Sequence, residues 1–363
     1  MTRSSADSIL DNRHTLVLTQ DDVSSILEIC GRDRVMDLMI ESLLQTLPLA
    51  YRMAIGTPSR DGFRRCEAGS GVLEWMPHRE PGRSITIKTV AYTPTNPRTV
   101  GLPTILGTIA RFDDVTGHLS AICDGVLLTA IRTGAASAVA SQLLARPDSA
   151  VVGLVGAGAQ AVTQLHALTR VFDIRRVLVH DVEPAHSGSF ADRVAFLGLD
   201  VRVAALDEVE SRADIICTAT SVGVGAGPVL IARRLQPHVH VNAVGADLPG
   251  KVELPVDLLR SAYVVPDHLG QAHREGECQQ LTPAEIGPEL SALLARPEEA
   301  VRRRNGRTVF DSTGFALEDH IAVDVFLELA AQHGLGQQIR LESLPTDALN
   351  PYAVSVLAGA SNA

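Results

Sequence analysis

Aromatic side chains are scarce in this chain: phenylalanine, tyrosine and tryptophan make up 4% of its 363 residues, with a single tryptophan. Non-specific binding of nucleic acid relies on aromatic stacking and on clustered lysine and arginine. Basic residues number only 32 here against 42 acidic ones, which gives a formal charge of −10. The composition therefore argues against a nucleic-acid partner and favours a small cationic or zwitterionic substrate.

Few cysteines are present and no long apolar run is evident. The cysteines form no CxxC pair, so their spacing predicts neither a zinc site nor a redox site; they are Cys30, Cys66, Cys123, Cys217 and Cys278. No uninterrupted apolar stretch approaches the roughly 18 residues that span a bilayer. Residues 1–14 are polar and lack the apolar core of a signal peptide. We therefore expect a cytoplasmic protein with reduced thiols, no membrane segment and a loose N-terminal tail.

The first part of the chain predicts an α+β domain. A strand near 16–18 and a helix from Gly31 come first, and Asp124 is placed to cap a later helix that ends near Leu144. Alternating apolar residues predict further strands, at 72–76, 84–92, 107–112 and 119–123. Small residues in the later helix predict very close packing against a neighbour. We expect these strands to form a mostly antiparallel sheet.

From Ala150 the pattern changes to short β-branched runs separated by helical stretches. The runs lie at 151–155, 177–180, 201–204, 215–219 and 239–244. This alternation is typical of a doubly wound parallel sheet of the Rossmann type. We expect the second domain to cover 147–314 and the first to cover 1–146, completed by 315–363, where a helix at 315–333 returns to it.

A glycine motif supports a dinucleotide site in the second domain. The strand at 151–155 leads into a GxGxxA pattern formed by Gly156, Gly158 and Ala161, and an amphipathic helix follows. The first glycine permits a tight turn, the second lets the backbone approach a pyrophosphate, and the small alanine lets helix and strand touch. The positive end of the helix would then face the phosphates.

Asp181 follows the next strand, where an acidic side chain accepts hydrogen bonds from both ribose hydroxyls. That position favours NAD over NADP. The same aspartate also suits a cap on the following turn, and the two roles are compatible. Arg175 and Arg176 precede this strand, so we expect them at its other end, away from a 2′-phosphate.

Charged residues also interrupt apolar elements, where burial costs several kcal/mol unless they are paired or bind a ligand. Four of them are candidates for a site: Glu74, Lys88, Arg132 and Asp247. Taken singly, a charged residue of this kind is more often a snorkelling side chain or part of a structural ion pair than a site residue. His78 lies among them, but no second histidine or carboxylate stands at metal-ligand spacing, so we assign it no role and expect no metal.

Seven segments carry a family resemblance. They are EWMPHREPG at 74–82, IKTV at 87–90, GLPTILGT at 101–108, LTAIRTGAASA at 128–138, GAGAQ at 156–160, NAVGADLPGK at 242–251 and FDSTGF at 310–315. The chain resembles the ornithine cyclodeaminase/mu-crystallin family over almost its whole length, from about Thr15 to Tyr352, and is most similar to those members that act on lysine.

The resemblance implies roles for matching positions. The substrate carboxylate would be held by Arg60, Lys88 and Arg132, with Glu74 and Asp247 near the amino groups and Asp247 as the general base. NAD would contact Thr104, Arg132, Gly156, Gly158, Ala159, Gln160, Asp181, Thr220, Val244, Gly245, Ala246, Lys251 and Ser312. Thr313 would line the pocket, where ornithine enzymes carry an apolar residue. Arg60 lies in a segment, 57–71, that we expect to be a loop.

The implied activity is an NAD-dependent cyclodeamination in a homodimer built through the non-Rossmann domain. The hydride would pass to NAD and return, so that L-lysine becomes L-pipecolate with release of ammonia, as in the biosynthesis of secondary metabolites. Three alternatives stay open. They are cyclisation of L-ornithine to L-proline, a ketimine reductase or amino-acid dehydrogenase that uses NADH stoichiometrically, and a non-enzymatic binder of the mu-crystallin type.

Overall fold

The computed structural model describes residues 14–65 and 71–353. The expected N-terminal tail and Cys66 lie outside these residues. Fourteen strands are present among them. They are β1 Thr15–Leu18, β2 Asp61–Arg64, β3 Val72–Glu80, β4 Ser84–Tyr92, β5 Ile105–Asp113, β6 Leu119–Asp124, β7 Val151–Val155, β8 Arg176–His180, β9 Val201–Val203, β10 Ile215–Thr218, β11 His240–Ala243, β12 Tyr263–Pro266, β13 Thr308–Asp311 and β14 Gln337–Ile339.

Thirteen α-helices accompany these strands in the described residues. They are α1 Gln20–Cys30, α2 Arg32–Arg52, α3 Asn96–Thr99, α4 Val126–Leu144, α5 Ala159–Thr169, α6 Pro184–Gly188, α7 Phe190–Arg193, α8 Leu206–Arg212, α9 Val256–Ser261, α10 Leu269–Glu275, α11 Leu290–Ala295, α12 Glu298–Arg303 and α13 Ala316–His333.

The first seven-stranded sheet has the order β14-β1-β6-β5-β4-β3-β2. Its pairs are antiparallel except β1 with β6, so the prediction of a mostly antiparallel sheet is confirmed. The expectation of a loop throughout 57–71 is wrong, because β2 forms an edge strand with Gly62 opposite Glu74. Its four residues, Asp-Gly-Phe-Arg, are mostly exposed and include a single apolar side chain, so pairing with β3, and not an alternating apolar pattern, makes it a strand.

Register decides which side chains of this sheet meet, because successive residues point to opposite faces. One face carries a buried row across β3 to β6, formed by Met76, Lys88, Ile109 and Cys123. Helix α13 packs over β3 and β4. The opposite face carries a partly exposed apolar row, formed by Pro77, Ile87, Ala110 and Ile122. Lys88 is thereby directed inward, beneath α13.

The second seven-stranded sheet is parallel throughout, in the order β12-β13-β11-β10-β7-β8-β9. This confirms the predicted Rossmann-type doubly wound sheet. The chain builds outward from β7 through β8 and β9, then crosses to the other side at β10. In such sheets, ligands bind outside the carboxyl ends of the strands at this switch point.

Helix α4 lies between the two sheets. A Cβ added at Gly134 would be 2.4 Å from the carbonyl oxygen of Thr163 in α5, which confirms the predicted close packing. Gly125 occupies the N-cap, and Asp124 accepts hydrogen bonds from the amides of Val126 and Leu127 at 3.1 Å. Asp124 thus caps the helix, as predicted, from the residue that precedes the N-cap.

By length and composition alone, α4 would suit a membrane span, and no other helix in 14–65 and 71–353 does. It is not an uninterrupted apolar run, because Arg132 and several small polar residues interrupt it. The helix packs against α2, α5 and α13, and 67% of its apolar window is buried within the fold. That packing is typical of a core helix.

Candidate functional site

The glycine turn lies between β7 and α5 at the switch point. Gly156 has φ +93°, and a Cβ there would lie 2.6 Å from the carbonyl oxygen of Ala219, so both backbone conformation and space require glycine. Gly158 is the N-cap of α5 and no side chain caps the helix. A Cβ at Gly158 would meet nothing within 4 Å. The helix therefore presents unpaired backbone N–H groups to open space, as a phosphate site requires.

Asp181 supports this turn from the end of β8. One carboxylate oxygen accepts a hydrogen bond from the Ala157 amide at 2.7 Å, and the other accepts one from the Glu183 amide at 2.8 Å. The predicted turn cap is confirmed. Arg176 begins β8 and is therefore at the opposite end, as expected. Ser312 is buried, and its hydroxyl has no hydrogen-bond partner among the described residues, which fits a ligand contact.

Lys88 and Arg132 meet at one buried carboxylate. The Lys88 ammonium lies 2.8 and 2.7 Å from the two carboxylate oxygens of Asp319. The Arg132 guanidinium donates through Nε to Asp319 at 2.9 Å and through Nη1 to Glu318 at 2.6 Å. All four side chains are almost fully buried. The two predicted cations, one from β4 and one from α4, thus both bind side chains of the first turn of α13.

Arg60 joins the same cluster from the residue before β2. Its guanidinium donates to the backbone carbonyl of Thr313 and, at 2.9 Å, to that of Gly314. It also pairs with Glu275 at 2.9 Å and with Glu74 at 3.3 Å. Gly314 has φ +73°, and a Cβ there would lie 2.5 Å from Arg132 Nη1. Arg60 and Arg132 therefore both approach the turn after β13.

Burial dominates the electrostatics of this cluster. Burial, followed by the positive charge of Arg132, lowers the pKa of Lys88 to about 7, although Asp319 acts in the opposite direction. Burial raises the pKa of Glu318 to about 8, against the stabilising charge of Arg132. These opposite shifts arise because both groups lose water within a few ångströms of each other. Titratable groups of this kind occur at ligand sites more often than elsewhere.

Asp247 follows β11 and faces the cluster from the parallel sheet. Its carboxylate pairs with Lys251 at 2.9 Å, and its side chain is 25% exposed. The Lys251 ammonium also lies 5.0 Å from the centre of the Tyr92 ring in β4. The charge of Asp247 acts on the pKa values of both Arg60 and Glu74. Asp247 therefore lies within electrostatic reach of Arg60 and Glu74.

A cleft of about 290 Å³ opens beside these residues. Its walls come from β2 and β3 on one side and from the loop after β11 and the end of α10 on the other. The lining includes Asp61, Glu74, Val224, Leu248, Arg274 and Glu275. Three acidic side chains, those of Asp61, Glu74 and Glu275, line this cleft together with Arg64 and Arg274, and two of the three pair with the buried Arg60. A ligand that carries both a carboxylate and amino groups matches this combination of buried cations and cleft-lining carboxylates.

Most of the other predicted cofactor positions follow the carboxyl ends of strands of the parallel sheet. Thr220 follows β10, and Val244, Gly245 and Ala246 follow β11; Ala159 and Gln160 begin α5. Thr104 immediately precedes β5, where its neighbour Ile105 pairs with Tyr92. Thr313 accepts a hydrogen bond from Gln271 Nε2 at 3.1 Å and donates one to Asp267 at 3.1 Å.

His78, to which the sequence assigned no role, is buried on the inner face of the first sheet. Its ring lies 2.9 Å from the Thr57 hydroxyl and packs edge-on against His320 at 4.8 Å. Burial, followed by the positive charge of His320, lowers the pKa of His78 to about 4. In the described part of the chain, no group of three or more possible metal ligands is found.

Comparison with known proteins decides the family. The model of the ornithine cyclodeaminase/mu-crystallin family matches residues 50–333. The chain belongs to this family. The L-lysine cyclodeaminase of Streptomyces rapamycinicus is 48% identical over 341 residues, covering 94% of this chain and 99% of that protein. The resemblance inferred from the sequence segments is confirmed.

Two solved structures extend the comparison. One, on the recognition of L-lysine, L-ornithine and L-2,4-diaminobutyric acid by lysine cyclodeaminase, has a TM-score of 0.92 at 55% identity and covers 94% of this chain and 100% of its own. An archaeal alanine dehydrogenase dimer with bound NAD has a TM-score of 0.81 at 31% identity, with 91% and 100% covered. The predicted fold is thus shared across the family.

The acidic residues that pair with the buried cations were not predicted from the sequence. Glu318 and Asp319 begin a predicted helix, where acidic residues are common for the helix dipole alone, so nothing distinguished them. Gln271 and Glu275 lie on α10, far along the chain from the Arg60 that they contact. The one available signal is the run of three consecutive charged or titratable residues, Glu318 to His320, in the first turns of a helix rich in apolar residues.

Proposed function

We propose that this chain is an NAD-dependent cyclodeaminase that converts L-lysine to L-pipecolate and releases ammonia. One observation carries the proposal: the buried cations Lys88, Arg132 and Arg60 lie together, and the two carboxylates that pair with Arg60, those of Glu74 and Glu275, line an adjacent cleft. The likeness to L-lysine cyclodeaminase over 94% of the chain supports the same activity.

The cations would hold the substrate carboxylate. Lys88 and Arg132 are already aligned by Asp319, so little side-chain entropy is lost when they bind a second anion. No hydrogen bond is found for Arg132 Nη2 among the described residues, so this donor is available. A substrate carboxylate held by these cations fixes the orientation of the rest of the amino acid. Positioning of this kind supplies much of an enzyme's acceleration.

The residues at the switch point fit NAD. The glycine turn, the uncapped start of α5, Asp181 and the unpartnered Ser312 hydroxyl would hold it. When bound, NAD supplies the acceptor for the Cα hydrogen and returns that hydrogen later, so the net reaction is redox-neutral. The chain's own contribution is to hold the amino acid by its carboxylate and to keep water out of a buried site.

Asp247 would act as the general base. Its carboxylate takes a proton from the amino group of the substrate, and then assists the terminal amine in attacking the oxidised α-carbon. The α-nitrogen leaves as ammonia, and the ring closes through the terminal nitrogen. Lys251 keeps this carboxylate in place by an ion pair. Glu74, which lines the cleft, would accept hydrogen bonds from the amino groups of the substrate.

L-Ornithine is the second candidate substrate. It differs from lysine by one methylene, which is worth only about 1–3 kcal/mol of discrimination. The similar lysine cyclodeaminase structure concerns recognition of both amino acids. We therefore propose that ornithine is cyclised to proline as a secondary activity, with Thr313 lining the pocket that distinguishes the two.

We further propose a cytoplasmic homodimer, built through the partly exposed apolar face of the first sheet, and a role in secondary metabolite biosynthesis. Pro77, Ile87, Ala110 and Ile122 form one row of that face, and the archaeal alanine dehydrogenase of similar fold is a dimer. The proposed domains are 147–314 for NAD and 1–146 with 315–363 for the substrate and the partner.

The decisive experiment uses substrate labelled at two positions. Incubation with NAD and L-lysine that carries α-deuterium and α-nitrogen-15 is expected to yield pipecolate that keeps the deuterium, and ammonia that carries the nitrogen label. Mass spectrometry of both products measures this. Stoichiometric accumulation of reduced, deuterated cofactor would instead indicate a dehydrogenase, and complete loss of the deuterium to solvent would rule out the hydride cycle.

Cofactor choice gives a second test. Asp181→Asn is expected to lower the preference for NAD over NADP by about tenfold or more, because the negative charge that repels a 2′-phosphate is removed. Calorimetric titration with each nucleotide measures the two dissociation constants. Asp200→Asn is a suitable control, since Asp200 lies beyond the opposite end of β8 and pairs with Arg202. An unchanged preference in Asp181→Asn would contradict the assignment.

A further inference from the structure

Glu253 is a fully buried carboxylate that the sequence motifs assigned to no role. One of its oxygens accepts hydrogen bonds from the Thr220 amide at 2.7 Å and from the Thr220 hydroxyl at 2.6 Å. The other accepts from the Thr218 hydroxyl at 2.6 Å and from the Gly245 amide at 2.9 Å. All four acceptor positions of the carboxylate are therefore used.

These four donors belong to two separate segments. Thr218 and Thr220 stand at the carboxyl end of β10, and Gly245 stands at the carboxyl end of β11. Both segments contain positions proposed to contact NAD, and Asp247 lies two residues beyond Gly245. Glu253 thus joins the carboxyl ends of β10 and β11 by hydrogen bonds to both segments.

The Glu253 carboxylate is also closely packed against the neighbouring backbone. A Cβ added at Gly245 would lie 2.3 Å from Glu253 Oε1, closer than any side chain tolerates. Gly245 is therefore glycine because Glu253 approaches its backbone. From behind, Glu277 accepts hydrogen bonds from the amides of Glu253 at 2.6 Å and of Leu254 at 3.1 Å. The backbone that carries the carboxylate is itself held in place.

We propose that Glu253 is a positioning residue that holds the loops after β10 and β11 together, and so places both the NAD contacts and Asp247. This inference rests on the proposed function. It assigns no chemical step to Glu253, which touches neither the cations of the cleft nor Asp247 directly. Its effect is transmitted through the Thr220 and Gly245 amides.

Glu253→Gln is the sharpest test, because it keeps the shape of the side chain. Each carboxylate oxygen faces one backbone N–H group, from Thr220 or from Gly245, and neither of these groups is able to accept a hydrogen bond. Whichever way the glutamine amide is oriented, its NH₂ group meets a backbone donor. One of the two loops must therefore move away.

Glu210→Gln is the matched control. Glu210 is also fully buried and also accepts from a backbone amide, that of Ile231 at 2.6 Å, and from Arg234 at 3.1 Å. It lies on α8 and holds the 231–234 turn instead of the cofactor loops. We expect both variants to lower the melting temperature, whereas only the Glu253 variant should alter the kinetics.

For Glu253→Gln we expect NAD to bind about tenfold more weakly. At saturating NAD, kcat should fall by about 10²-fold, as for a displacement near 1 Å of a positioned group. The KM for L-lysine should be unchanged, because the carboxylate-binding cations lie on α4 and the first sheet. A purely structural role would not separate kcat from KM in this way. NAD affinity and kinetics equal to those of the parent would overturn the inference.

Gly245→Ala is a second variant, in which Glu253 is retained but the added methyl group displaces its carboxylate. We expect the same fall in kcat with an unchanged KM for L-lysine. If Glu253→Gln does not fold, parent-like kinetics of Gly245→Ala would overturn the inference. NAD titration needs no turnover. A parent protein that binds NAD but forms no pipecolate would therefore contradict the proposed function, and the inference would still be decided by NAD affinity.

Discussion

Replacing Asp247 with asparagine is expected to lower kcat by about 10³-fold, within the range that general acid–base groups contribute. The amide keeps the size of the side chain but no longer takes a proton from the substrate amine. NAD binding should persist, because the glycine turn and Asp181 are untouched. Steady-state kinetics with L-lysine, together with calorimetric titration of NAD, measure both effects.

Asp214→Asn serves as the control for this variant. Asp214 belongs to the same parallel sheet, but it lies at the amino end of β10, where it accepts hydrogen bonds from the amides of Ala150 and Val151. We expect it to lower stability and leave turnover unchanged. Equal kcat values for Asp247→Asn and the parent would refute the role of Asp247 as the base.

Replacing Lys88 with methionine is expected to lower kcat/KM for L-lysine by about 10²-fold or more, since truncating one partner of a buried charge pair costs about 2–5 kcal/mol and each 1.4 kcal/mol is a factor of ten. Methionine fills a similar volume, so packing beneath α13 is largely retained. The affinity for NAD should not change, because Lys88 belongs to the other sheet.

Arg111→Met is the matched control for Lys88→Met. Arg111 is also a buried cation on the inner face of the first sheet, and it also pairs with an acidic residue of α13, Asp324, at 2.7 Å. That pair lies further along the helix than Asp319. We expect a comparable loss of stability with no change in KM. A similar loss of kcat/KM in both variants would show that Lys88 acts through stability alone.

Much of this architecture follows from local patterns. The GxGxxA turn, the β-branched runs of the parallel sheet and the alternation in β4 are short-range signals, and each appears where it was predicted. Asp181 was also assigned from its place after a strand. Such features are predictable because the spacing of a few neighbouring residues decides backbone conformation and the direction of side chains.

Other features depended on contacts that no local pattern encodes. Strand β2 is short and mostly exposed, and only its pairing with β3 makes it a strand and brings Arg60 to the site. Glu253 looked like any glutamate in a loop, although it joins two strand ends. The length and apolar character of α4 are signals shared by membrane helices and core helices, and its neighbours in the fold distinguish them.

The amino-acid sequence by itself determined the fold class, the dinucleotide turn and the identity of the charged residues that interrupt apolar elements, because each of these depends on neighbours along the chain. Only the tertiary structure decided how those charges are balanced. Lys88 and Arg132 share Asp319 because β4, α4 and α13 dock against one another. A buried charge is stable only in the company of its partners, and those partners come from distant parts of the chain.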